Sequence, residues 1–396
     1  MNIIRISTVF VPPWRGLGPG PFELSNAQVE TGIKLTVITK HVMNCESFDK
    51  KLPYEVVRIK ASFDLYFSFC ALLYTLKIIR TKRIDIIHSH GYSALFHIIF
   101  KKIFFNKIPI VSSVHILRKY QMQISKKISG YKKLKRELLI NSGIRINNDS
   151  IKKSLFFEKI FIKYSDFLVT VSDEIKQNIK KYYHRYHNVD VIYNGVNPKV
   201  FNMEKLNKNF KNKISKSKKN IIFVGGLNCR KGEFDLLNAF EMANINDCKL
   251  IYVGNGLFKP LLKSYILKKN LQNKIILFDN LPHNELKKLF KICDLFVLPS
   301  YSEGLPKVLL EAIFSKVNVL VSDIGCHREI VGDNNGYLFN LGNIEDLSNK
   351  LVHALDDIES KNKIELAYDC ILKNYTWKNV ADRLNNTYIK VKSKNG

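Results

Sequence analysis

Residues 295–311 read LFVLPSYSEGLPKVLLE, and this stretch decides the fold. Its first four residues are apolar and predict a buried strand, while Pro306 suits the first turn of a following helix. Glu303 then lies in the loop at the helix entrance. Glu311 lies one to two turns inside, because an α-helix takes about 3.6 residues per turn. Two carboxylates beside a helix N-terminus can hold sugar and ribose hydroxyls while the helix amides face a phosphate, so the stretch predicts a nucleotide-sugar site.

Strand-like runs alternate with helical patterns along the chain, which is typical of α/β domains with parallel sheets. The predicted strands of the first half are Ile3–Val11, Leu35–Thr39, Glu55–Ile59, Asp85–His88, Pro109–His115, Phe167–Val171 and Val189–Ile192. Those of the second half are Asn220–Gly225, Lys249–Gly254, Lys274–Phe278, Leu295–Leu298, Asn318–Val321 and Gly336–Phe339. Each set predicts one doubly wound domain, with ligands outside the carboxyl ends of its strands.

The domain boundaries follow from composition. Residues 201–219 are rich in lysine and asparagine and predict a basic linker. An N-terminal domain then covers residues 1–200 and a C-terminal domain covers residues 220–374. The tail from 375 to 396 contains a helical pattern.

The net charge of +28 is concentrated in the N-terminal half. Residues 1–200 hold 33 Lys and Arg against 14 Asp and Glu, whereas residues 201–396 hold 30 against 21. The sharpest basic segment, residues 118–136, has eight cations, no acid and interleaved apolar residues. It predicts contact with an anionic membrane surface, and the alternative is a solvated loop in a lysine-rich protein.

Other features place the protein in the cytosol. We expect no signal peptide, because Arg5 interrupts the N-terminal apolar run. The longest apolar stretch, Leu65–Leu76, is shorter than the roughly 20 residues that span a bilayer. The seven cysteines show no metal-binding spacing and are expected to be reduced.

The spacing of Glu303 and Glu311 resembles the E-x7-E signature of retaining glycosyltransferases of the GT-B fold, in particular family 4. Three other segments resemble the family's further motifs in the same order: the glycine loop at Gly16–Gly20, the domain junction at Val191–Val196 and the phosphate-binding segment at Val224–Gly232. The resemblance covers nearly the whole chain. It implies two Rossmann-like doubly wound domains facing a cleft, with the last helix packed back on the N-terminal domain.

A sugar transferase must stabilise the diphosphate that leaves, and this task needs fixed positive charge. Arg230 and Lys231 can supply it, since arginine offers a planar fork to phosphate oxygens and lysine a point charge. Lys231 matches the lysine of the family motif. The family's arginine position is Gly226 here, so Arg230 is a candidate substitute. The resemblance further implies that Glu303 contacts the transferred sugar and that Glu311 holds the ribose hydroxyls.

The remaining candidate site residues lie in predicted loops. For the donor they are Gly18, Gly225, Gly226, Gly254, Asn255, Phe278, Gly304, Leu305 and Pro306. Glycines allow close approach to a phosphate, and Phe278 either stacks on the base or belongs to the core. His115 matches a family histidine that reaches the sugar, although a strand-end histidine is often structural. His88 and His90 form an H-x-H pair without an evident third metal ligand, and we interpret them as cleft-lining or core residues.

Together these features predict a retaining, metal-independent hexosyltransferase without a cofactor, at the inner face of the cell membrane. Its expected partners are a nucleotide diphosphate sugar and a lipid-linked glycan acceptor, and no nucleic acid. No Asp-x-Asp pair lies at a strand end. Three alternatives stay open: a related GT-B enzyme with a soluble acceptor or a different outcome, such as a sugar epimerase; a basic nucleic-acid- or membrane-binding protein; and a non-catalytic homologue, which Gly226 favours.

Overall fold

A computed structural model describes residues 1–12, 18–128, 148–198 and 218–395. The chain forms two compact units. The N-terminal unit contains Met1–Tyr120, Asn147–Gly195 and Tyr375–Gly396, and the C-terminal unit contains Gln121–Ile146 and Val196–Asn374. Residues 129–136 of the basic segment and 201–217 of the predicted linker lie outside the described residues, as does Gly16.

The N-terminal unit is built on a parallel sheet of seven strands. They are β1 (Asn2–Ser7), β2 (Lys34–Lys40), β3 (Glu55–Ile59), β4 (Ile86–His90), β5 (Ile110–Val114), β6 (Phe167–Thr170) and β7 (Val189–Val191). Their order is β3-β2-β1-β4-β5-β6-β7. In this register Ile3 of β1 is paired with Leu35 of β2 on one side and Ile86 of β4 on the other. The chain therefore reverses its winding direction between β1 and β4.

The C-terminal unit repeats this design with six parallel strands. They are β8 (Lys219–Val224), β9 (Cys248–Val253), β10 (Ile275–Phe278), β11 (Leu295–Leu298), β12 (Asn318–Ser322) and β13 (Tyr337–Phe339). Their order is β10-β9-β8-β11-β12-β13, so the winding reverses between β8 and β11. Such a reversal opens a crevice at the carboxyl ends of the two strands, where ligands of doubly wound sheets bind.

Each predicted strand is present, and the largest difference is at the first. The apolar run Ile3–Val11 predicts one strand, but β1 ends at Ser7. The Ser7 hydroxyl accepts from the Val9 amide and donates to the Val9 carbonyl, which turns the chain out of the sheet. Phe10 and Val11 are nevertheless buried. The apolar sequence therefore extends beyond the strand because these two residues pack in the core, not because they pair in the sheet.

Helices connect the strands in both units. They are α1 (Pro19–Glu30), α2 (Glu46–Asp49), α3 (Asp64–Ile79), α4 (Leu95–Ile99), α5 (Lys101–Phe104), α6 (Arg118–Lys127), α7 (Asn148–Tyr164), α8 (Asp173–Tyr183), α9 (Glu233–Ala243), α10 (Lys259–Lys268), α11 (His283–Phe290), α12 (Lys307–Phe314), α13 (Gly325–Arg328), α14 (Ile344–Asp356), α15 (Ser360–Asn374) and α16 (Trp377–Asn395). A short 3₁₀ helix, Gly91–Ala94, precedes α4. Within the described ranges, no helix has both the length and the hydropathy needed to cross a bilayer.

The last helix, α16, packs into the core of the N-terminal unit. Trp377 and Tyr388 are buried there together with Ile3 of β1 and Phe22 of α1. A side chain at Gly195 would place its Cβ 2.7 Å from the Trp377 ring, so glycine lets the end of the β7 loop pass close to this indole. The last helix thus stabilises the sheet that holds the histidines described below.

Candidate functional site

Three loops at the carboxyl edge of the C-terminal sheet pack on one another through glycines. A Cβ at Gly232 would lie 2.2 Å from the Pro299 carbonyl oxygen, and φ of Gly232 is +71°. A Cβ at Gly254 would lie 2.0 Å from the Gly225 carbonyl oxygen, and φ of Gly254 is +148°. Both positions exclude ordinary side chains. The loops after β8, β9 and β11 are consequently held in contact at the switch point of the C-terminal sheet, where the winding reverses between β8 and β11.

This packing brings the predicted charged residues together. Lys231 Nζ lies 2.5 Å from Glu303 Oε1, and Arg230 Nη1 lies 3.7 Å from Glu303 Oε2. Arg230 also donates a hydrogen bond to the Ser302 carbonyl. All three charged side chains are largely buried, with Glu303 only 8% exposed. Two cations and one carboxylate therefore occupy the point where the winding of the sheet reverses.

The pKa of Glu303 reflects a competition between burial and charge. Burial raises the pKa, but Lys231 and then Arg230 outweigh burial and bring the pKa down to about 2. Glu303 is consequently an ionised hydrogen-bond acceptor at neutral pH. A carboxylate in this state can accept from a sugar hydroxyl but cannot act as a proton donor.

The second carboxylate of the signature, Glu311, is buried in α12 and pairs with a residue that the sequence analysis missed. His283 Nε2 lies 2.8 Å from Glu311 Oε1. His283 is the first residue of α11, directly after the loop that follows β10. Burial raises the pKa of Glu311, but the hydrogen bond and the charge of His283 lower it below its usual value overall. No spacing signal marks His283, because it lies 28 residues before its partner.

The segment between the two glutamates is buried and ends in a proline cap. Gly304, Leu305 and Pro306 are all buried. The helix begins at Lys307, one residue later than the sequence suggests, because Pro306 has an extended ψ of 107°. The amides of Leu309 and Leu310 both donate to the Pro306 carbonyl. Direct contacts of this segment with a donor stay a prediction.

The other predicted donor residues have structural contacts of their own. Leu227 donates its amide to the Asn255 carbonyl at 3.1 Å, and Gly254 donates to the Phe278 carbonyl at 3.2 Å. The Asn255 side chain accepts from the Gly256 amide. Gly226 has room for a side chain, since the nearest atom to an added Cβ is Asn228 Nδ2 at 3.6 Å. These contacts shape the loops, and their role in donor binding stays a prediction.

The carboxyl edge of the N-terminal sheet carries histidines in place of the ionic cluster. His90 Nδ1 lies 2.9 Å from His115 Nε2. His88 contacts the Ser113 hydroxyl at 2.7 Å and the Tyr388 hydroxyl at 2.5 Å. Burial lowers the pKa of both His88 and His90 well below the usual range, so both are neutral at pH 7. The sequence analysis missed the pairing of His90 with His115.

A small pocket opens beside these histidines, at the carboxyl ends of β4 to β7. Its polar lining includes His90, Ser113, His115, Tyr193 and Asn194. Gly18 is buried immediately before α1, whose residue Gly20 lines the same pocket. The H-x-H pair thus contributes one histidine to this pocket and one to the core.

The histidines do not group as a metal site. Over the described parts of the chain, one set of three potential ligand atoms lies within 4.8 Å of one another, and it comprises His41, Cys45 and Glu46. That set follows β2, two strands away from β4 in the N-terminal sheet, and His41 already pairs with Glu46 at 3.2 Å. Independence from metal stays a prediction.

Two family models match the chain and together cover most of it. The model described as Glycosyltransferase Family 4 matches residues 15–200, and the model described as Glycosyl transferases group 1 matches residues 204–367. Their boundary at residues 200–204 falls between the two sheets.

Several curated proteins are similar to parts of the chain. An uncharacterised glycosyltransferase of Methanocaldococcus jannaschii is 28% identical over 56% of this chain and 59% of its own. The UDP-Gal:α-D-GlcNAc-diphosphoundecaprenol α-1,3-galactosyltransferase of Escherichia coli is 32% identical over 49% of this chain and 54% of its own. The N-acetylgalactosamine-N,N'-diacetylbacillosaminyl-diphospho-undecaprenol 4-α-N-acetylgalactosaminyltransferase of Campylobacter jejuni is 28% identical over 45% and 46%. The chain spans about half the length of these curated relatives.

Solved structures match over almost the full length. Sucrose-phosphate synthase from Thermosynechococcus elongatus has a TM-score of 0.76 at 16% identity and covers 99% of both chains. The Anabaena protein HepE, in complex with UDP and glucose, has a TM-score of 0.76 at 15% identity and covers 98% of this chain and 100% of its own. The two sheets and these likenesses show a two-domain Rossmann-like GT-B fold.

Proposed function

The chain belongs to the family 4, or group 1, glycosyltransferases, and on this premise we propose that it transfers a hexose from a nucleotide diphosphate sugar to a lipid-linked glycan. The proposed transfer retains the configuration of the sugar and needs neither a metal ion nor another cofactor. The observation that carries the proposal is the buried cluster of Arg230, Lys231 and Glu303 at the switch point of the C-terminal sheet.

The two cations suit the departing diphosphate. Lys231 and Arg230 follow β8, while Glu303 follows β11, so the cluster lies where doubly wound sheets bind their ligands. Lys231 is held against Glu303 in a largely buried position, where the loop backbone fixes it. Fixed charge in a site that excludes water stabilises a developing anion without reorganisation. In this proposal these cations take the role that a divalent ion has in other transferases.

In this proposal Glu303 binds the sugar of the donor and Glu311 binds its ribose. Glu303 is ionised because of its low pKa, so it accepts hydrogen bonds from hydroxyls of the transferred sugar. Glu311 uses part of its acceptor capacity on His283, and a carboxylate has about four lone-pair sites. The rest of that capacity suits the two hydroxyls of the ribose. His283 then fixes the orientation of Glu311 before the nucleotide arrives.

The relatives support a lipid-linked acceptor. The names of the E. coli and C. jejuni relatives both specify sugars linked to diphosphoundecaprenol. The pocket with His90 and His115 in the N-terminal unit offers polar side chains that suit hydroxyls of a sugar. The cysteines of the chain are free, which agrees with a reaction on the cytoplasmic side of the membrane.

A thermal-shift screen tests the donor site. Purified protein is heated with UDP, GDP, ADP and their common sugars, because a ligand that binds only the folded state raises the unfolding midpoint. We expect one nucleotide family to raise the midpoint by several degrees at about 100 times its dissociation constant, where the gain is about 2.7 kcal/mol. We expect Glu311→Ala and Lys231→Ala to abolish this shift.

Matched surface variants control for general effects. Glu365 pairs with Lys316 at an exposed position, and Lys269 pairs with Glu241 at another, so Glu365→Ala and Lys269→Ala should keep the full shift. The nucleotide diphosphate sugar that contains the nucleotide found in the screen is then supplied together with an undecaprenyl-diphosphate-linked acceptor. NMR of the product determines its anomeric configuration. A folded protein that responds to no nucleotide would contradict the proposal and favour a non-catalytic homologue. Transfer to water or a soluble sugar alone would contradict the lipid-linked acceptor.

A further inference from the structure

Helix α3 is apolar on the face that meets solvent as well as on the face that packs inward. Its fully buried apolar side chains are Phe67, Ala71 and Leu72. Its exposed large apolar side chains are Tyr66, Phe69, Leu73 and Tyr74, and each has 43% to 51% of its surface exposed. Residues 66, 69 and 73 follow helical spacing and form one outward stripe. The outer face of a helix on a water-soluble protein is normally polar, so this stripe needs an explanation.

The exposed apolar surface continues onto α4 and α5. A row of ring contacts leads there: Phe69 to Phe96 at 5.7 Å, Phe96 to Phe100 at 6.4 Å, and Phe100 to Phe104 at 6.1 Å between centroids. Ile99, Ile103 and Phe104 are themselves exposed, Ile103 to 70%. We call the exposed apolar side chains of residues 63–74 and 99–104 the aromatic face. A contiguous patch of this kind marks a contact site, whereas single exposed apolar residues do not.

The segments that carry the aromatic face are surrounded mainly by cations, and the one acid within residues 63–84, Asp64, pairs with Lys40. Residues 65–84 contain four cations and no acid, and residues 86–117 contain three cations and no acid. Two of these cations, Lys82 and Lys101, pair with Glu55 and Asp166. The other five are exposed and are Lys77, Arg80, Arg83, Lys102 and Lys107. The aromatic side chains are thus accompanied by exposed positive charge.

We propose that the aromatic face docks the N-terminal unit on an anionic lipid bilayer, with its aromatic side chains in the headgroup region and its cations against lipid phosphates. Aromatic and long apolar side chains with a basic surround are the features of an interfacial membrane contact. Each cation near such a surface is attracted by its negative potential. The purpose of this docking rests on the proposed lipid-linked acceptor, which would lie in the same bilayer.

Charge distinguishes a bilayer from a protein partner. Interfaces between proteins carry complementary polar groups of both signs at their rims, whereas residues 64–107 hold seven cations against two acids. Those acids, Asp64 and Asp85, already pair with Lys40 and Lys392. A bilayer with anionic lipids presents a continuous negative surface over an apolar interior, which matches both properties together. The aromatic face also differs from the predicted basic segment 118–136, whose residues beyond 128 lie outside the described ranges.

Co-sedimentation with vesicles tests the proposal on the full chain. The vesicles are phosphatidylcholine alone and phosphatidylcholine with phosphatidylglycerol. We expect the protein to partition mainly to the anionic vesicles. We expect Phe69→Ser combined with Leu73→Ser to lower the partition coefficient at least about tenfold, because both side chains are exposed and stabilise little of the fold. Arg80→Glu combined with Lys102→Glu should remove the dependence on phosphatidylglycerol.

Two controls match these variants. Leu267→Ser and Ile358→Ser remove exposed apolar side chains from the C-terminal unit and should leave the partition unchanged. Lys132→Glu combined with Lys133→Glu tests the basic segment. The proposal is overturned if the wild-type protein binds neither vesicle, if the Phe69 and Leu73 variant binds as the wild type does, or if loss of binding follows only from the Lys132 and Lys133 variant.

Hydrogen exchange on the wild-type chain gives a second test, which needs no substitution and therefore does not depend on whether a variant folds. Anionic vesicles should slow exchange in peptides from residues 63–79 and 96–104. Protection that appears without vesicles as protein concentration rises would identify a second copy as the occupant and overturn the proposal. The nucleotide-induced midpoint shift of the Phe69 and Leu73 variant separates this inference from the proposed function, since docking can fail while the donor site remains intact.

Discussion

The two sheets have the same winding order, yet their carboxyl edges carry opposite chemistry. At the C-terminal switch point, Lys231 and Arg230 surround an ionised Glu303. At the N-terminal edge, His88 and His90 are buried and neutral, and His90 contacts His115. Topology places a ligand site at each edge, and the side chains decide what kind of ligand each site takes.

This difference assigns the two halves of the proposed reaction to different units. Fixed cations suit a diphosphate, whose charge grows as the sugar departs. Neutral imidazoles can donate and accept without a net charge, so they suit hydroxyls of a sugar. If the assignment is right, changes at the C-terminal edge should alter binding of the nucleotide, and changes at the N-terminal edge should alter transfer alone.

The largest expected effect is on Lys231. Lys231→Met keeps the length of the side chain and removes its charge, so we expect kcat/KM for transfer to fall by about 10²–10³-fold. The measurement is the initial rate with the nucleotide sugar found by the screen. An unchanged rate would break the assignment of the diphosphate to this edge.

A double variant separates catalysis from stability in that experiment. Lys231→Met leaves Glu303 buried with only the more distant Arg230, and a buried charge that loses its partner destabilises a fold by about 3–5 kcal/mol. Lys231→Met with Glu303→Gln removes both charges and should restore most of the unfolding free energy without restoring the rate. Recovery of the rate in the double variant would show that the single variant failed only because it unfolded.

The next largest effect is expected at the glycines that pack the loops together at the carboxyl edge of the C-terminal sheet. Gly254→Ala places a Cβ against the Gly225 carbonyl at a φ of +148°, so we expect it to lower the unfolding free energy by about 3 kcal/mol. Gly225→Ala is the matched control, because its Cβ would meet Lys231 at an ordinary 3.5 Å. Scanning calorimetry should show a midpoint lowered by about 6–12 °C for Gly254→Ala and little change for the control. Equal midpoints would contradict the described loop packing.

Stability should depend on pH with opposite signs at two glutamates of the C-terminal unit. The pKa of Glu303 is lowered to about 2, so its contribution is present above its unfolded pKa of 4.5 and is lost as pH falls from there towards 2. This contribution is at most about 3 kcal/mol. Burial raises the pKa of Glu233 to about 7, so its contribution is full below pH 4.5 and declines as pH rises from there to 7.

Glutamine variants test both signs by urea titration across that pH range. The difference in unfolding free energy between wild type and Glu303→Gln should shrink towards pH 2, while the difference for Glu233→Gln should change between pH 4.5 and pH 7. A constant difference for Glu303→Gln would mean that Lys231 and Arg230 do not hold the carboxylate in its ionised form.

The smallest effect is expected at the N-terminal edge. His115→Ala removes a hydrogen-bonding side chain, and one hydrogen bond is worth about 1 kcal/mol, so transfer should slow by roughly fivefold. The nucleotide-induced midpoint shift should stay unchanged. His115→Asn keeps a polar group near Nδ1 and should recover part of the rate. A lost midpoint shift in His115→Ala would mean that this edge also holds the nucleotide.

The sequence predicts the strands of this fold well, because each is a short apolar run with a turn signal at its end. It predicts β11, Leu295–Leu298, at both ends. It fails at Phe10 and Val11, which are apolar because they are buried and not because they pair in the sheet. An apolar sequence predicts burial, but it does not predict a turn that the Ser7 hydroxyl makes.

The candidate site is less predictable, because its contacts join residues far apart in sequence. Separate motifs identify Lys231 and Glu303 as site residues, but their separation of 72 residues does not predict that they pair. The same holds for His283 with Glu311. Such pairs depend on strand order, which a list of strands does not fix.

Isothermal titration of the nucleotide found by the screen tests the central claim most directly. The nucleoside diphosphate and the bare nucleoside are titrated into wild type, Lys231→Met with Glu303→Gln, and His115→Asn. We predict that the double variant loses affinity for the diphosphate at least about tenfold, or about 1.4 kcal/mol, and keeps its affinity for the nucleoside, while His115→Asn binds both as the wild type does. Equal diphosphate affinity in the double variant and the wild type would contradict the assignment of the diphosphate to the C-terminal edge.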